Sequence, residues 1–244
     1  MKDERRDRDS SPDTPFTVRL LTHWHQDHVG GLPSVLAGLS ELRSQSAIDV
    51  PPPILCKFRN DDQDVRIAEM IGSLKPGKDF SLPPSDEDQS PQSGIPFYYL
   101  RDSQTLDAGD ESSIQVHHTP GHTKDHLSLS LPQESIFFSG DNVLGQGTSV
   151  FEDLSAYLDS LHRSLDIARQ HPTQSCPIYP AHGPVIEKGP DAIQTYIDHR
   201  MQRERQIIDL LKKKSPSGTE DEGSRSPVWT IMDVVKALYA SCRY

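Results

Sequence analysis

Three histidines and an aspartate fall within six residues, at His23, His25, Asp27 and His28. Packing does not explain such a density, because each of these side chains is costly to bury without a polar partner. In an extended segment, residues i and i+2 point to the same side, so His23 and His25 can converge on one cation. The chain then bends, and the adjacent Asp27 and His28 can face a second. Imidazole with carboxylate and no thiolate suits zinc, with manganese and iron as alternatives. Two such ions side by side carry about four positive charges, which a carboxylate between them would offset. A bridging water would be acidified from about 15.7 toward about 7, giving metal-bound hydroxide at neutral pH.

Three further segments carry ligand-type residues: His122 in Thr119-Pro120-Gly121-His122-Thr123, Asp141 in Ser139-Gly140-Asp141, and His182 in Pro180-Ala181-His182-Gly183. Taken singly, a histidine after a turn is an ordinary surface or hydrogen-bonded residue, and Gly-Asp after a strand is an ordinary turn. Beside the first cluster the three gain weight together, because each follows a strand and precedes a turn. Asp141 is the carboxylate placed to sit between two ions. His117 and His118 are adjacent in a strand, so one is expected buried and one exposed. His126, His162, His171 and His199 lack ligand-like neighbours in sequence and read as structural. Asn142 and residues 145–151 lie near the cluster by sequence and receive no role. His199 and Arg200 reach it only if their helix packs back.

Strand ends must deliver these residues. Phe16–Leu21 reads as a buried strand running into the first cluster, and Gly30–Leu39 as a short helix with Pro33 in its first turn. Ile54–Phe58 reads as a strand and Asp64–Leu74 as a helix. Pro83–Gly94 is a loop rich in Pro, Ser, Asp and Gln. Strands are expected at 97–100, 105–110, 113–119, 127–131 and 135–139. The strict alternation of Leu127-Ser128-Leu129-Ser130-Leu131 predicts one buried face. A helix over 154–169 carries Leu154, Tyr157, Leu158, Leu161, Leu165 and Ala168 at helical spacing, and a short strand at 177–180 delivers His182. Gly189–Lys214 reads as a long helix with Ile193, Tyr196, Ile197, Met201, Ile208 and Leu211 along one side. Thr230–Ala240 begins another amphipathic helix. The expected organisation is a disordered stretch over 1–15, one domain over 16–188, and a helical region over 189–244 with a polar linker at 215–227. This order of strands and helices points to an α/β layered domain.

Composition sets the outer bounds. The chain has 244 residues, a net charge of −11, 34% apolar residues and 20 prolines. No stretch approaches the roughly 18–20 consecutive apolar residues of a membrane span. Residues 1–13 lack an apolar signal core, so a soluble cytoplasmic protein is expected. Cys56, Cys176 and Cys242 are scattered and odd in number, which fits inert thiols better than a disulfide framework or a thiolate site. The run Lys212-Lys213-Lys214 reads as a solvated helix end, where cations suit the helix dipole.

The His-x-His-x-Asp-His motif at 23–28, Thr-Pro-Gly-His at 119–122, Ser-Gly-Asp at 139–141 and Pro-Ala-His-Gly at 180–183 occur in the order found in metallo-β-lactamase-fold hydrolases. The chain resembles that superfamily over roughly residues 16–242. Within it, 140–154, 182–186 and the helix carrying His199, Arg200, Arg203 and Glu204 are similar to a glyoxalase-II-type branch. That branch includes β-lactamase-like protein 2, and fungal lactamase-like proteins of polyketide pathways share the pattern. The resemblance implies an αββα sandwich, shortened at the N-terminus, with a partial winged-helix-like piece at the C-terminus. It implies two zinc ions per chain, with His23, His25 and His122 on the first and Asp27, His28 and His182 on the second. Asp141 would bridge both, and Asp27 would also orient or deprotonate the water. It further implies hydrolysis of a thioester, such as an acyl chain on a carrier protein in secondary metabolite biosynthesis, with a polyketide synthase as a partner. Two rival functions share the site: an endoribonuclease on single-stranded RNA, and a non-catalytic accessory protein. The acidic balance and the lack of interleaved basic and aromatic residues count against RNA.

Overall fold

Side-chain alternation along the strands separates the molecule into layers. The computed structural model describes residues 18–47, 49–82, 95–109, 111–170, 176–213 and 228–239. Strands β1 (Val18–Leu20), β2 (Ile54–Lys57) and β3 (Phe97–Tyr99) form a parallel sheet in the order β1-β2-β3. Strands β4 (Thr105–Gly109), β5 (Ser112–His118), β6 (Leu127–Leu131), β7 (Ile136–Gly140) and β8 (Ile178–Pro180) form a second sheet in sequence order. Ile54 and Cys56 point from β2 into a core shared with Val116 and Leu127, so the two sheets pack face to face. Leu55 and Phe97 point the other way, into a core with Leu36 of α2 (Leu32–Gln45) and Ile67 of α3 (Asp61–Met70). On the far side of the second sheet, Phe137 and Ile178 pack against Leu161 and Leu165 of α4 (Leu154–Arg169) and Ile193 and Ile197 of α5 (Gly189–Leu211). The result is an αββα sandwich with three apolar layers between its four structural ones.

Strand direction decides where loops gather. β5, β6 and β7 are successively antiparallel, and β8 is parallel to β7. The carboxyl ends of β5, β7 and β8 therefore lie on one edge, and those ends lead into His122, Asp141 and His182. The amide of Leu127, at the start of β6, donates to the Thr22 carbonyl at 2.8 Å, which brings the end of β1 to that same edge.

Most expected elements recur with shifted ends. The helix expected at 30–39 runs on to Gln45, with Pro33 in its first turn, and the one expected at 64–74 spans Asp61–Met70 instead. The turn after His25 is a single helical turn, α1 (Gln26–Val29). One burial expectation fails. The serines of β6 are at least as buried as its leucines, because Ser130 pairs with Phe137 and faces the helical layer. On α5 the apolar stripe is buried at Ile193 and Ile197, while Ile208 and Leu211 near its end are exposed. The final helix, α6 (Ile231–Tyr239), buries none of its residues. The expectations for 1–17, the loop at 83–94, Asp110, His171, Lys214, the linker at 215–227 and Cys242 fall outside the described residues. Cys56 and Cys176 are buried free thiols, and burial pushes them up to about 12 and about 11. No helix among the described residues is long and apolar enough to cross a membrane.

Candidate metal centre

β1 ends in an extended run that projects His23 and His25, and α1 then turns Asp27 and His28 toward the same space. The structure brings all seven sequence-selected side chains together in two groups that share Asp141. In the first, His23 Nε2, His25 Nδ1 and His122 Nε2 form a triangle with sides of 3.1, 3.2 and 3.0 Å. Asp141 Oδ2 lies 3.5 Å from His122 Nε2 and 3.9 Å from His23 Nε2. In the second, Asp141 Oδ1 lies 3.3 Å from His28 Nε2 and 3.5 Å from His182 Nε2. Asp27 Oδ2 is 3.1 Å from His182 Nε2 and 3.8 Å from His28 Nε2. The two oxygens of one carboxylate thus serve different groups.

Hydrogen bonds do not satisfy this triangle. Each imidazole nitrogen carries either one proton or one lone pair, so three nitrogens in mutual contact cannot each donate and accept. A cation at the centre would satisfy all three at once. Zinc–nitrogen bonds of about 2.0–2.1 Å in a tetrahedron imply nitrogen separations of roughly 3.3 Å, close to those seen. His28 Nε2 and Asp141 Oδ1 are buried without a hydrogen-bond partner, as expected of atoms whose partner is an ion. The donor set, imidazole and carboxylate, fits zinc.

The surroundings hold the nitrogens in ligand form. Burial, and then the neighbouring His126, His28, His122 and His25, drive His23 far below its ordinary value. Burial and then His122 lower His25. Burial would raise Asp141, yet the adjacent His28 first, and then His122 and His182, hold it below the ordinary value. His122 Nδ1 donates to the Val150 carbonyl at 2.8 Å, which leaves the lone pair on Nε2 facing the group. The first group is largely buried, whereas the side chains of Asp27 and His182 are 58% and 46% exposed. Solvent and ligands therefore reach the centre from the side of the second group.

Residues outside these seven also shape the region. His126, expected to be merely structural, is fully buried and accepts the Asp141 amide on Nε2 at 3.0 Å. Its Nδ1 faces the Thr119 hydroxyl and carbonyl at 2.9 and 3.1 Å, and burial pushes it down to about 3. Lys57 is buried between Asp64 at 2.5 Å and Asp125 at 3.2 Å, tying β2 and α3 to the loop that bears His122. Nothing in a strand-like Ile-Leu-Cys-Lys-Phe marks that lysine as internal. His117 is buried and pairs with Ser130 at 2.9 Å, while His118 stacks on Phe58. His199 is not part of either group, but α5 does pack back, and its Arg200 reaches the Ser149 carbonyl.

Fold and site together define a four-layer α/β sandwich with a histidine–aspartate cluster at one edge of its sheets. The chain belongs to the metallo-β-lactamase superfamily, whose pattern matches residues 48–175. That span includes His122 and Asp141 and leaves out 23–28 and His182. The chain is 34% identical to a β-lactamase-like protein 2 homolog of Caenorhabditis elegans over 91% of this chain and 56% of that protein. It is 32% identical to the lactamase-like protein nscB of Trichophyton verrucosum, over 90% of this chain and 60% of the other. It is 30% identical to an atrochrysone carboxyl ACP thioesterase of Aspergillus chevalieri, over 94% and 57%. The chain therefore spans less than two thirds of the length of these relatives. Among solved structures, a β-lactamase domain protein from Burkholderia ambifaria shares the fold, with a TM-score of 0.54 at 21% identity over 82% of this chain and 59% of that one.

Proposed function

We propose that the chain is a two-zinc hydrolase acting on a thioester, such as an acyl group on a carrier protein. The observation that carries this reading is the triangle of imidazole nitrogens joined to a second ligand group by the two oxygens of Asp141. His23, His25 and His122 would hold one ion, Asp27, His28 and His182 the other, and Asp141 both. Bound zinc supplies a nucleophile from water at neutral pH and polarises the carbonyl under attack. The protein's own groups do the rest. Val150, through its carbonyl, and His126, through the Asp141 amide, keep the ligands aimed. The exposed Asp27 carboxylate orients the attacking water and accepts its proton, which passes on to the departing thiolate as the carbon–sulfur bond breaks. Support for the thioester comes from the relative named as an ACP thioesterase. The same name makes an acyl carrier protein the expected partner, and the resemblance to proteins of polyketide pathways points to one belonging to a polyketide synthase.

Elemental analysis of purified protein should find two zinc ions per chain, falling to one in His182→Ala. Acyl-thioester and labelled single-stranded RNA substrates, assayed side by side, should show turnover of the thioester only. Turnover of RNA alone would move the substrate to the phosphodiester, and two bound ions with neither activity would leave an accessory role. Folded protein with no affinity for zinc would overturn the site itself.

A further inference from the structure

Residues 144–151 lie between Asp141 and α4 and contact two proposed ligands. At one end the Val150 carbonyl accepts the His122 Nδ1 proton at 2.8 Å, and the Ser149 hydroxyl donates to that carbonyl at 2.9 Å. At the other end the Gly145 amide donates to the His182 carbonyl at 2.9 Å. The two loops touch so closely there that a Cβ on Gly145 would sit 2.1 Å from the Pro184 oxygen. Yet among the described residues no backbone–backbone hydrogen bond holds 146–151. Something else must fix this segment, because a ligand histidine is only as well placed as the carbonyl that orients it.

That support comes from α5. Tyr196 and Arg200 are four residues apart and so lie on one helix face, beside the buried Ile193 and Ile197. The Tyr196 hydroxyl accepts the Leu144 amide at 3.1 Å and lies 3.1 Å from the Gly147 carbonyl, to which it donates. Arg200 Nη2 donates to the Ser149 carbonyl. Its guanidinium lies over Phe151 and Tyr157, 5.0 and 5.7 Å from the ring centres, and those rings stack on each other at 5.5 Å. Phe151 is the residue after Val150. A planar cation held on two rings fixes both the carbonyl before Val150 and the side chain after it.

We propose that α5 sets the two metal-ligand groups separately: Arg200 positions His122 through Ser149 and Val150, and Tyr196 positions His182 through Leu144 and Gly145. Both are positioning residues, one step removed from any ion. The inference rests on the two-zinc reading. It goes beyond that reading by assigning a site-specific role to a helix that follows the span matched by the family pattern.

The test measures zinc affinity by competition with a chromogenic chelator. Arg200→Ala is placed in a His182→Ala background, where only the first ion is retained, and Tyr196→Phe in a His25→Ala background, where only the second is. Each should weaken its ion by about 10–100-fold, the range typical of lost outer partners. Exchanged, Arg200→Ala in the His25→Ala background and Tyr196→Phe in the His182→Ala background should change affinity by less than about threefold. Equal losses at both ions, or none, would overturn the proposal. Nitrogen-15 shifts of the metal-free protein give a second readout. His122 should be the Nδ1–H tautomer in the wild type and a mixture in Arg200→Ala; an unchanged tautomer would remove the Arg200 arm. If Arg200→Ala does not fold, Phe151→Leu removes only the ring under the guanidinium and should show the same selectivity. Wild-type protein that binds no zinc would defeat the proposed function, while the tautomer measurement would still decide whether Arg200 sets His122.

Discussion

His117 shows how a single residue ties the fold to pH. It sits in β5 with its Nε2 2.9 Å from the Ser130 hydroxyl, apart from the metal-type cluster. Burial first, then the nearby Arg163, pushes it down to about 4, with Asp102 opposing. In the unfolded chain the same imidazole titrates near its ordinary 6.5. The unfolded state therefore binds the extra proton first, and stability falls as the pH drops from about 6.5 to about 4, below which the slope from this residue ends. The full effect is on the order of 3 kcal/mol, taking about 1.4 kcal/mol per unit. His117→Gln keeps a polar partner for Ser130 and removes the titration. Urea unfolding of metal-free protein at pH 7 and pH 4.5 should show a clearly smaller loss for this variant than for the wild type. Equal losses would mean that His117 is not a neutral buried imidazole in the folded chain.

At the scale of elements, backbone conformation positions the proposed ligands. Gly121 immediately precedes His122 and has φ +126°, and a Cβ there would lie 2.3 Å from the backbone nitrogen and Cα of Tyr157. The ligand loop is thus pressed directly onto the first turn of α4, and its carbonyl accepts the amides of Glu152 and Asp153 at 2.7 and 3.1 Å. Gly121→Ala adds a backbone clash to an unfavourable φ and should destabilise by about 3 kcal/mol or more. That corresponds to a Tm roughly 6–12 °C lower for a chain of this size. A calorimetric shift under about 2 °C would show that α4 can move away. Much at this scale was legible in the sequence. Alternation marked β5 and β6, and helical spacing placed α4 to the residue. The burial of Ser128, Ser130 and Lys57 was not, because period-two patterns name two faces without saying that both are covered. Nor was the contact of α5 with 144–151, since Tyr196 and Arg200 become site residues only through tertiary packing.

At the scale of the whole molecule, the candidate centre is a junction between the two sheets. Histidines 23, 25 and 28 with Asp27 come from the end of β1, and His122, Asp141 and His182 from the second sheet. Apart from the apolar layer between them, the sheets are tied here by the Leu127–Thr22 hydrogen bond and the buried Lys57–Asp125 pair. The seven residues that gather here were all selected from sequence, because three histidines and an aspartate crowd into 23–28 and the other three follow strand ends. What could not be read is that one imidazole cluster spans the seam of the sandwich. The energetic consequence is linkage: an ion bound by the folded chain and not by the unfolded one stabilises it by RT ln(1 + [L]/Kd). With zinc at about 100 times Kd, each site adds about 2.7 kcal/mol. On the two-zinc proposal, both sites together would add roughly 5 kcal/mol, or a Tm rise on the order of 10–20 °C. Chelation should reverse that rise, and His25→Ala with His182→Ala should remove its dependence on zinc. Hydrogen exchange should localise the loss, since freeing the ions leaves each sheet intact and loosens the seam. Protection is expected to fall first at 21–29, 119–126 and 180–186, while the centres of β5 and β6 stay protected. Uniform loss across both sheets would mean that the ions support global folding rather than the junction.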